Sequence, residues 1–144
     1  MNRNVTLCTR GARERESQSL LDENLIVVVD DDASLCDAIV GLVRSYGYEA
    51  KGFESAINYM DSPDFASTLC LVTDINMPGV SGLDLARHMR SVGNLAPIIM
   101  ITAREDSDLE ERSRAMGAAC FLRKPFEADQ LMECIADCVG DAAA

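Results

Sequence analysis

The chain has 144 residues, which is enough for one domain with its own hydrophobic core but not for two full domains. Apolar residues make up 48% of it, which excludes an intrinsically disordered chain, and no apolar run approaches the roughly 20 residues that span a bilayer. The net charge of −11 argues against direct nucleic-acid binding, because backbone phosphates would be repelled. We also expect no membrane insertion.

The first part of the chain differs from the rest. Residues 1–23 mix Arg, Glu, Ser and Gln, carry no net charge and show no apolar periodicity. They lack the apolar stretch of a secretory signal, so we expect a cytoplasmic protein. The expected organisation is a flexible N-terminal extension over residues 1–23, a folded domain over 24–140 and a short C-terminal tail over 141–144.

The folded part begins with a strand and a helix. Leu25–Val29 is a continuous apolar run, typical of a strand that is buried on both faces. A helical pattern follows and stops at Gly47. Its predicted buried face consists of Leu35, Ile39, Leu42, Val43 and Tyr46. Residues 48–53 then indicate a weaker, peripheral strand.

The same alternation continues to residue 140. Ser55 can cap a short helix that ends near Met60. Further strands are predicted over 69–73, 97–101 and 119–122, and further helices over 82–90, 107–116 and 127–139. Ser107 and Glu110 have the spacing of a capping box. Successive strand–helix units of this kind predict an α/β fold: a doubly wound five-stranded parallel sheet with helices on both faces.

The cysteines invite a metal or disulfide interpretation. Six are present, at positions 8, 36, 70, 120, 134 and 138. No two have CxxC spacing, and the single histidine, His88, makes a zinc site unexpected. In a chain without a secretory signal we expect the cysteines to be small buried hydrophobic residues.

Polar side chains follow four of the predicted strands: Asp30 and Asp31, then Asp74, Thr102 and Lys124. Open α/β sheets bind ligands outside the carboxyl ends of their strands. Three carboxylates facing one lysine would resist joint ionisation, and a hard divalent cation would balance them. Oxygen ligands that leave room for a phosphate suit Mg²⁺ or Mn²⁺.

Four sequence blocks carry a resemblance to a known family. They are Val29-Asp30-Asp31-Asp32, Thr73-Asp74-Ile75-Asn76-Met77-Pro78-Gly79 with Gly82, Ile101-Thr102-Ala103, and Lys124-Pro125-Phe126. In this order and at these spacings they resemble the receiver domain of response regulators, over about residues 24–140. The last block and the turn over 75–78 are most similar to FixJ and NarL type regulators. The resemblance implies a flavodoxin-like, CheY-like fold.

The resemblance also implies which residues accept the phosphoryl group and hold the metal. Asp74 would be the phospho-acceptor, a carboxylate nucleophile that attacks a phosphohistidine. Mg²⁺ or Mn²⁺ would be held by Asp30, Asp31, Asp74 and the backbone carbonyl of Asn76. Asp31 would be the more direct ligand, with Asp30 acting largely through water.

A phosphate-binding set and a switch pair follow from the same resemblance. The Thr102 hydroxyl, the Ala103 backbone N–H and the Lys124 ammonium would contact the phosphoryl oxygens. Movement of Thr102 toward the phosphoryl group would leave space for Phe121, whose other interpretation is an ordinary core residue. The switch would change the face formed by residues 107–139.

The implied partners are a histidine kinase or phosphotransfer protein as donor, and an output domain or downstream protein as target. A homodimer through the 107–139 face is a further candidate. Such a domain is a signalling acceptor that promotes its own phosphotransfer and dephosphorylation, and we do not expect an enzyme with a separate substrate. It could stand alone or be a piece of a longer regulator.

Two other functions fit parts of the sequence. A hydrolase of the haloacid dehalogenase type would use Asp30 as nucleophile, with Thr102 and Lys124 in support. That type needs an acidic pair after a strand beyond Lys124, where none is predicted, and it gives Asp74 no role. A binding module that has lost phosphorylation is the second alternative, and the intact set of strand-end residues disfavours it.

Overall fold

A computed structural model of the chain describes residues 25–105 and 107–140, and at Ser107 the backbone alone. The elements are β1 (Leu25–Val29), α1 (Ala33–Ser45), β2 (Glu49–Phe53), α2 (Ala56–Met60), a 3₁₀ helix (Pro63–Ser67), β3 (Thr68–Asp74), α3 (Gly82–Ser91), β4 (Ile98–Thr102), α4 (Ser107–Ala115), β5 (Cys120–Arg123) and α5 (Ala128–Val139). The predictions for residues 1–23, the tail 141–144 and the Ser107 capping box lie outside the described residues.

The strands form one parallel sheet in the order β2-β1-β3-β4-β5. The register aligns the carboxyl ends of the inner strands, because Val29 lies opposite Thr73, Asp74 opposite Ile101, and Thr102 opposite Arg123. Residues that follow these strands therefore meet at one edge of the sheet. β2 lies at the other side as an edge strand, as its weak apolar pattern predicts.

Two hydrophobic cores cover the two faces of the sheet. Side chains alternate along β3, so Cys70 and Val72 join the core under α1 and α5, which we call the first core. Leu71 joins the second core, under α2, α3 and α4. Strands buried on both faces need the continuous apolar runs that the sequence contains. The predicted doubly wound α/β architecture is thus confirmed.

The predicted strands and helices differ from the observed ones by only one or two residues at their ends, but one predicted core position is wrong. Tyr46 is the C-cap of α1, with φ −92° and ψ 5°, and is 54% exposed. The chain has left the helical path there, so the periodicity no longer places its side chain over the sheet. Cys36 and Val40 occupy the buried face instead, beside Ile39 and Val43.

The cysteines are less uniformly buried than expected. Cys36 and Cys70 are buried, whereas Cys120, Cys134 and Cys138 are only partly buried at the periphery of the first core. β5 is the edge strand that α5 covers, so side chains between them retain contact with solvent. Cys8 lies outside the described residues. Within the described ranges, no helix is long and apolar enough to cross a membrane.

Tyr59 connects α2 to the start of β3 through its hydroxyl, and removal of that hydroxyl is a first test of the fold. The side chain is fully buried, and its hydroxyl lies 2.6 Å from Thr68 Oγ1. Burial raises the pKa of Tyr59 to about 12, against the weaker effect of the Thr68 hydrogen bond. We expect Tyr59→Phe to lower the free energy of unfolding by about 1 kcal/mol in urea denaturation, because one buried hydrogen bond is lost. Tyr46→Phe, at an exposed position, is the control and should leave the urea midpoint unchanged; equal midpoints for both variants would refute the role of Tyr59.

Candidate active site

Three carboxylates converge at the carboxyl edge of the sheet. Asp30 follows β1, Asp31 is the next residue, and Asp74 ends β3. Each offers an oxygen within 4.8 Å of the oxygens of the other two. Asp30 and Asp74 are 2% and 5% exposed, while Asp31 is open to solvent. The acidic group predicted from the strand ends is therefore present, with one carboxylate facing outward.

Among the residues that the structure describes, Lys124 is the cation that contacts this group. Its Nζ lies 3.3 Å from Asp30 Oδ2 and 3.4 Å from Asp74 Oδ1. The backbone holds it there, because Lys124 N donates to Thr102 O at 2.8 Å. Burial alone would lower the pKa of Lys124, but Asp74 and Asp30 raise it above its usual value. Lys124 therefore stays charged and balances only part of the negative charge.

The electrostatic effect of this imbalance is concentrated on Asp74. Burial is the largest influence and raises its pKa from 3.8 to about 6. That value includes the opposing effect of Lys124 and the smaller raising effects of the charges of Asp30 and Asp31. Without an additional cation, Asp74 is thus a carboxylate that is costly to ionise. A divalent ion beside it would favour the charged, nucleophilic form.

The orientation of Asp30 depends on the start of α1. Asp32 N donates to Asp30 Oδ1 at 2.9 Å, and Asp30 N donates to Phe53 O at 3.1 Å. Asp32 itself is the N-cap of α1 and accepts from Leu35 N at 3.1 Å. Its negative charge near the N-terminus of the helix is also favourable. The structure gives it two further contacts, one of which fixes the carboxylate of Asp30.

Thr102 has a hydrogen-bond partner that the sequence analysis missed. Its hydroxyl donates to Asn76 Oδ1 at 2.6 Å and accepts from Arg104 N at 3.0 Å. Thr102 is fully buried, whereas Asn76 and Ala103 are exposed. Asn76 lies two residues beyond β3, and Thr102 ends the neighbouring β4. That adjacency was the available signal for a contact between the two side chains.

Gly82 is needed for the position of Asp74. It begins α3 directly against the backbone at the end of β3, with Gly82 N donating to Ile75 O at 3.0 Å. A Cβ at this position would lie 2.5 Å from the carbonyl oxygen of Asp74 and 3.0 Å from Ile75 Cα. Any side chain would push on the backbone that carries the carboxylate. The sequence contains this glycine in its second block, but the pattern alone does not reveal the contact.

Phe121 lies within β5, opposite Met100 of β4. It is partly buried against the second core, and the guanidinium carbon of Arg123 lies 5.4 Å from the centre of its ring. Arg123 Nη1 also donates to Arg104 O at 2.7 Å, which connects β5 to the loop after β4. The sequence analysis did not single out Arg123. His88, by contrast, is an exposed residue of α3 that lies outside the site, with its ring centre 5.8 Å from that of Phe65 and the two rings tilted by 45°.

Comparison with known proteins identifies the family of this arrangement. A family model for the response regulator receiver domain matches residues 26–136. The chain belongs to this family. The receiver assignment excludes the hydrolase alternative and places the chain in two-component signal transduction.

Two regulators illustrate how this receiver relates to longer proteins. It is 35% identical over 113 residues to the response regulator protein TmoT of Ectopseudomonas mendocina, covering 78% of this chain and 51% of that protein. It is 34% identical over 117 residues to the transcriptional regulatory protein FixJ of Bradyrhizobium diazoefficiens, covering 81% and 57%. The chain thus spans about half the length of the curated relatives that it matches. The likeness to FixJ is confirmed, and the likeness to NarL stays a prediction.

The fold of the receiver is also found in solved structures. A response regulator receiver protein from Burkholderia phymatum superposes with a TM-score of 0.71 at 35% identity, over 81% of this chain and 94% of that one. The flavodoxin-like, CheY-like architecture predicted from the sequence is therefore confirmed.

Proposed function

We propose that this receiver accepts a phosphoryl group on a carboxylate oxygen of Asp74, in a reaction that requires Mg²⁺ or Mn²⁺. The donor would be the phosphohistidine of a histidine kinase or phosphotransfer protein. The observation that carries the proposal is the contact of one lysine with two buried carboxylates, Asp30 and Asp74, at the carboxyl edge of the sheet. Such a site holds a buried carboxylate with a raised pKa but lacks enough positive charge to balance its acids.

The residues present fit a divalent cation. Carboxylate oxygens of Asp30, Asp31 and Asp74 lie close enough together to act as ligands, and the backbone carbonyl of Asn76 would complete the protein's share. Asp31, as the exposed carboxylate, would be the direct ligand, with Asp30 acting largely through water. The bound cation would neutralise charge on the carboxylates and on the phosphoryl oxygens.

Each protein group at the site would then have a defined task in the transfer. Ionised Asp74 attacks phosphorus, an O–P bond forms, the P–N bond to the donor imidazole breaks, and its electron pair returns to the imidazole. Lys124, already in contact with Asp74, moves little to pair with a phosphoryl oxygen. The Thr102 hydroxyl and the Ala103 N–H donate to the remaining oxygens. The product is an aspartyl phosphate.

The conformational output would begin with Thr102. To reach the phosphoryl group its hydroxyl leaves Asn76, and the movement opens space toward which Phe121 can turn. The face built by residues 107–139 would then change and control an output domain, a downstream protein or a second copy of the chain.

Beryllofluoride with Mg²⁺ should therefore shift amide NMR resonances across 107–139. Resonances that stay in place there would contradict this route.

A mass measurement tests the phospho-acceptor. Incubation of the full chain with acetyl phosphate and Mg²⁺ should add about 80 Da, the mass of one phosphoryl group. The gain should vanish in EDTA and in Asp74→Asn, and it should persist in Asp37→Asn, where an exposed acid on α1 is altered outside the site. A gain that survives Asp74→Asn would disprove the assignment. No gain at all would favour a receiver that has lost phosphorylation.

Replacement of Lys124 should change the phosphorylation rate and the Mg²⁺ affinity in opposite directions. Lys124→Met should slow phosphorylation by acetyl phosphate about 100-fold, because the ammonium group that would stabilise the negative charge of the transferring phosphoryl group is lost. The same change should tighten Mg²⁺ binding about tenfold in calorimetric titration, because Asp30 and Asp74 lose their counter-charge. Lys51→Met removes an exposed lysine that is paired with Asp64 and is the matched control. Parallel loss of rate and of Mg²⁺ affinity would indicate a misfolded site and contradict the charge argument.

A further inference from the structure

Arg123, the last residue of β5, is an exposed cation whose side chain is nevertheless held in place. Its Nη1 donates to the carbonyl oxygen of Arg104 at 2.7 Å, in the loop after β4. Its guanidinium carbon lies 5.4 Å from the centre of the Phe121 ring. The phosphoryl transfer proposed for Asp74 uses neither contact. An exposed arginine that joins two elements beside the site therefore needs its own explanation.

The contact with Phe121 restrains the ring in the position that the structure shows. Phe121 and Arg123 lie two residues apart on β5, so their side chains project from the same face of the sheet. The ring packs against the second core, and the guanidinium approaches it within the range of a cation–π attraction. A planar guanidinium can lie against a ring and donate a hydrogen bond at the same time, which the single ammonium of lysine does less well. A turn of the ring toward Thr102 would weaken this contact.

The contact with Arg104 reaches Thr102 through one residue of backbone. The carbonyl oxygen of Arg104 accepts from Arg123, while its backbone N–H donates to the Thr102 hydroxyl at 3.0 Å. That hydroxyl donates in turn to Asn76 Oδ1 at 2.6 Å. Arg123 is thus connected to the side chain that would have to leave Asn76 when the phosphoryl group arrives. Its hydrogen bond holds the loop after β4 in the conformation that keeps Thr102 on Asn76.

We propose that Arg123 is a positioning residue of the acceptor site, which holds Thr102 and Phe121 in the positions of the unphosphorylated receiver. The inference rests on the phosphoryl transfer to Asp74 proposed above. When Thr102 moves to the phosphoryl group and Phe121 turns into the vacated space, both contacts of Arg123 are lost. Stabilising the form that binds the phosphoryl group less well lowers the apparent affinity of the site for that group. Conversely, phosphorylation would release a guanidinium on the face formed by residues 107–139.

The charge of Arg123 alone predicts the opposite effect, which separates the two explanations. Arg123 is adjacent to Lys124, and its positive charge would attract an anionic phosphoryl group or an analogue of it. If attraction were its main role, removal of Arg123 would weaken binding of the analogue. If Arg123 stabilises the unphosphorylated form, its removal would strengthen that binding, because the competing form is less populated. The sign of the change in affinity therefore decides between them.

Beryllofluoride binding to the full chain tests the proposal. With saturating Mg²⁺, Arg123→Ala should bind beryllofluoride about fivefold more tightly than the wild type in a titration followed by fluorine NMR. Arg123→Lys keeps the charge but cannot contact the ring and the Arg104 carbonyl oxygen together as well, so its affinity should lie between those two. Arg87→Ala removes an exposed arginine of α3 that is paired with Asp84 at 3.1 Å, and this matched control should leave the affinity unchanged.

Hydrogen exchange shows whether the change in affinity comes through the loop after β4. In the unphosphorylated protein, the amide of Arg104 should exchange at least about threefold faster in Arg123→Ala than in the wild type or Arg87→Ala. Unchanged or weaker beryllofluoride binding by Arg123→Ala would overturn the proposal, as would tighter binding with unchanged exchange at Arg104. If the wild type itself binds no beryllofluoride, the phosphoryl transfer proposed for Asp74 fails, and the role of Arg123 fails with it.

Discussion

Asp74→Asn should make the cation-free receiver more stable at neutral pH, by about 2–3 kcal/mol of unfolding free energy. The reason is the pKa of Asp74, which burial raises from 3.8 to about 6. Each pKa unit is equivalent to about 1.4 kcal/mol of preference for the protonated form, so the ionised side chain destabilises the folded state at pH 7. Asparagine is neutral at every pH and leaves Lys124 its contact with Asp30.

The pH dependence of this gain has a defined direction. A raised pKa means that the folded state binds the proton more tightly, so the stability from protonated Asp74 is complete below about pH 4 and is lost as the pH rises through about 6. Asp74→Asn should therefore differ little from the wild type near pH 4 and exceed it above pH 7. Urea denaturation in EDTA at both pH values measures the difference.

Mg²⁺ gives the same experiment its control. The cation should stabilise the wild type by binding the folded state, and it should stabilise Asp74→Asn much less. Asp37→Asn should follow the wild type under all conditions, because that acid is exposed on α1. If Asp74→Asn were less stable than the wild type at pH 7.5 in EDTA, burial would not be the dominant influence on Asp74.

Gly82→Ala should cost about 2–3 kcal/mol of unfolding free energy and slow phosphorylation by acetyl phosphate at least about tenfold. A methyl group here would meet the Asp74 carbonyl oxygen at 2.5 Å and Ile75 Cα at 3.0 Å. Both contacts are backbone, so relief requires movement of α3 or of the end of β3. That movement displaces the nucleophile relative to Asp30 and Lys124.

The chain provides a matched control for this glycine. Gly41 lies within α1, and a Cβ there would meet nothing within 4 Å. Gly41→Ala should raise the free energy of unfolding by about 1 kcal/mol through helix propensity and leave phosphorylation unchanged. Urea denaturation and the acetyl phosphate assay compare the two variants directly. Similar stability changes for both alanines would show that the clash at Gly82 is relieved without cost.

The sequence was sufficient to predict the sheet and the composition of the candidate site. Buried parallel strands need continuous apolar runs, and their polar successors must meet at one edge, so Asp30, Asp74 and Lys124 could be placed together before any coordinates. Contacts set by the packing of separate elements could not be found in this way. The approach of Gly82 to the acceptor backbone depends on how α3 sits on β3, and periodicity contains no such information.

Smaller differences between the sequence prediction and the structure also have local causes. Tyr46 fits the helical period, but the chain turns away from the helix at that residue. The hydrogen bond between Thr102 and Asn76 joins the end of β4 to the loop after β3, whose conformation follows from the complete fold.

If Thr102 turns to the phosphoryl group as proposed, the loss of that hydrogen bond has a thermodynamic consequence. Asn76 is exposed, so water can replace its partner at almost no cost, but fully buried Thr102 has no such substitute. A buried hydroxyl without an acceptor costs about 1–3 kcal/mol, which penalises every geometry between Asn76 and the phosphoryl oxygens. The hydroxyl therefore has two low-energy positions separated by an unsatisfied one, and partial activation is disfavoured. A graded phosphorylation level would then be read as a changing proportion of two discrete forms.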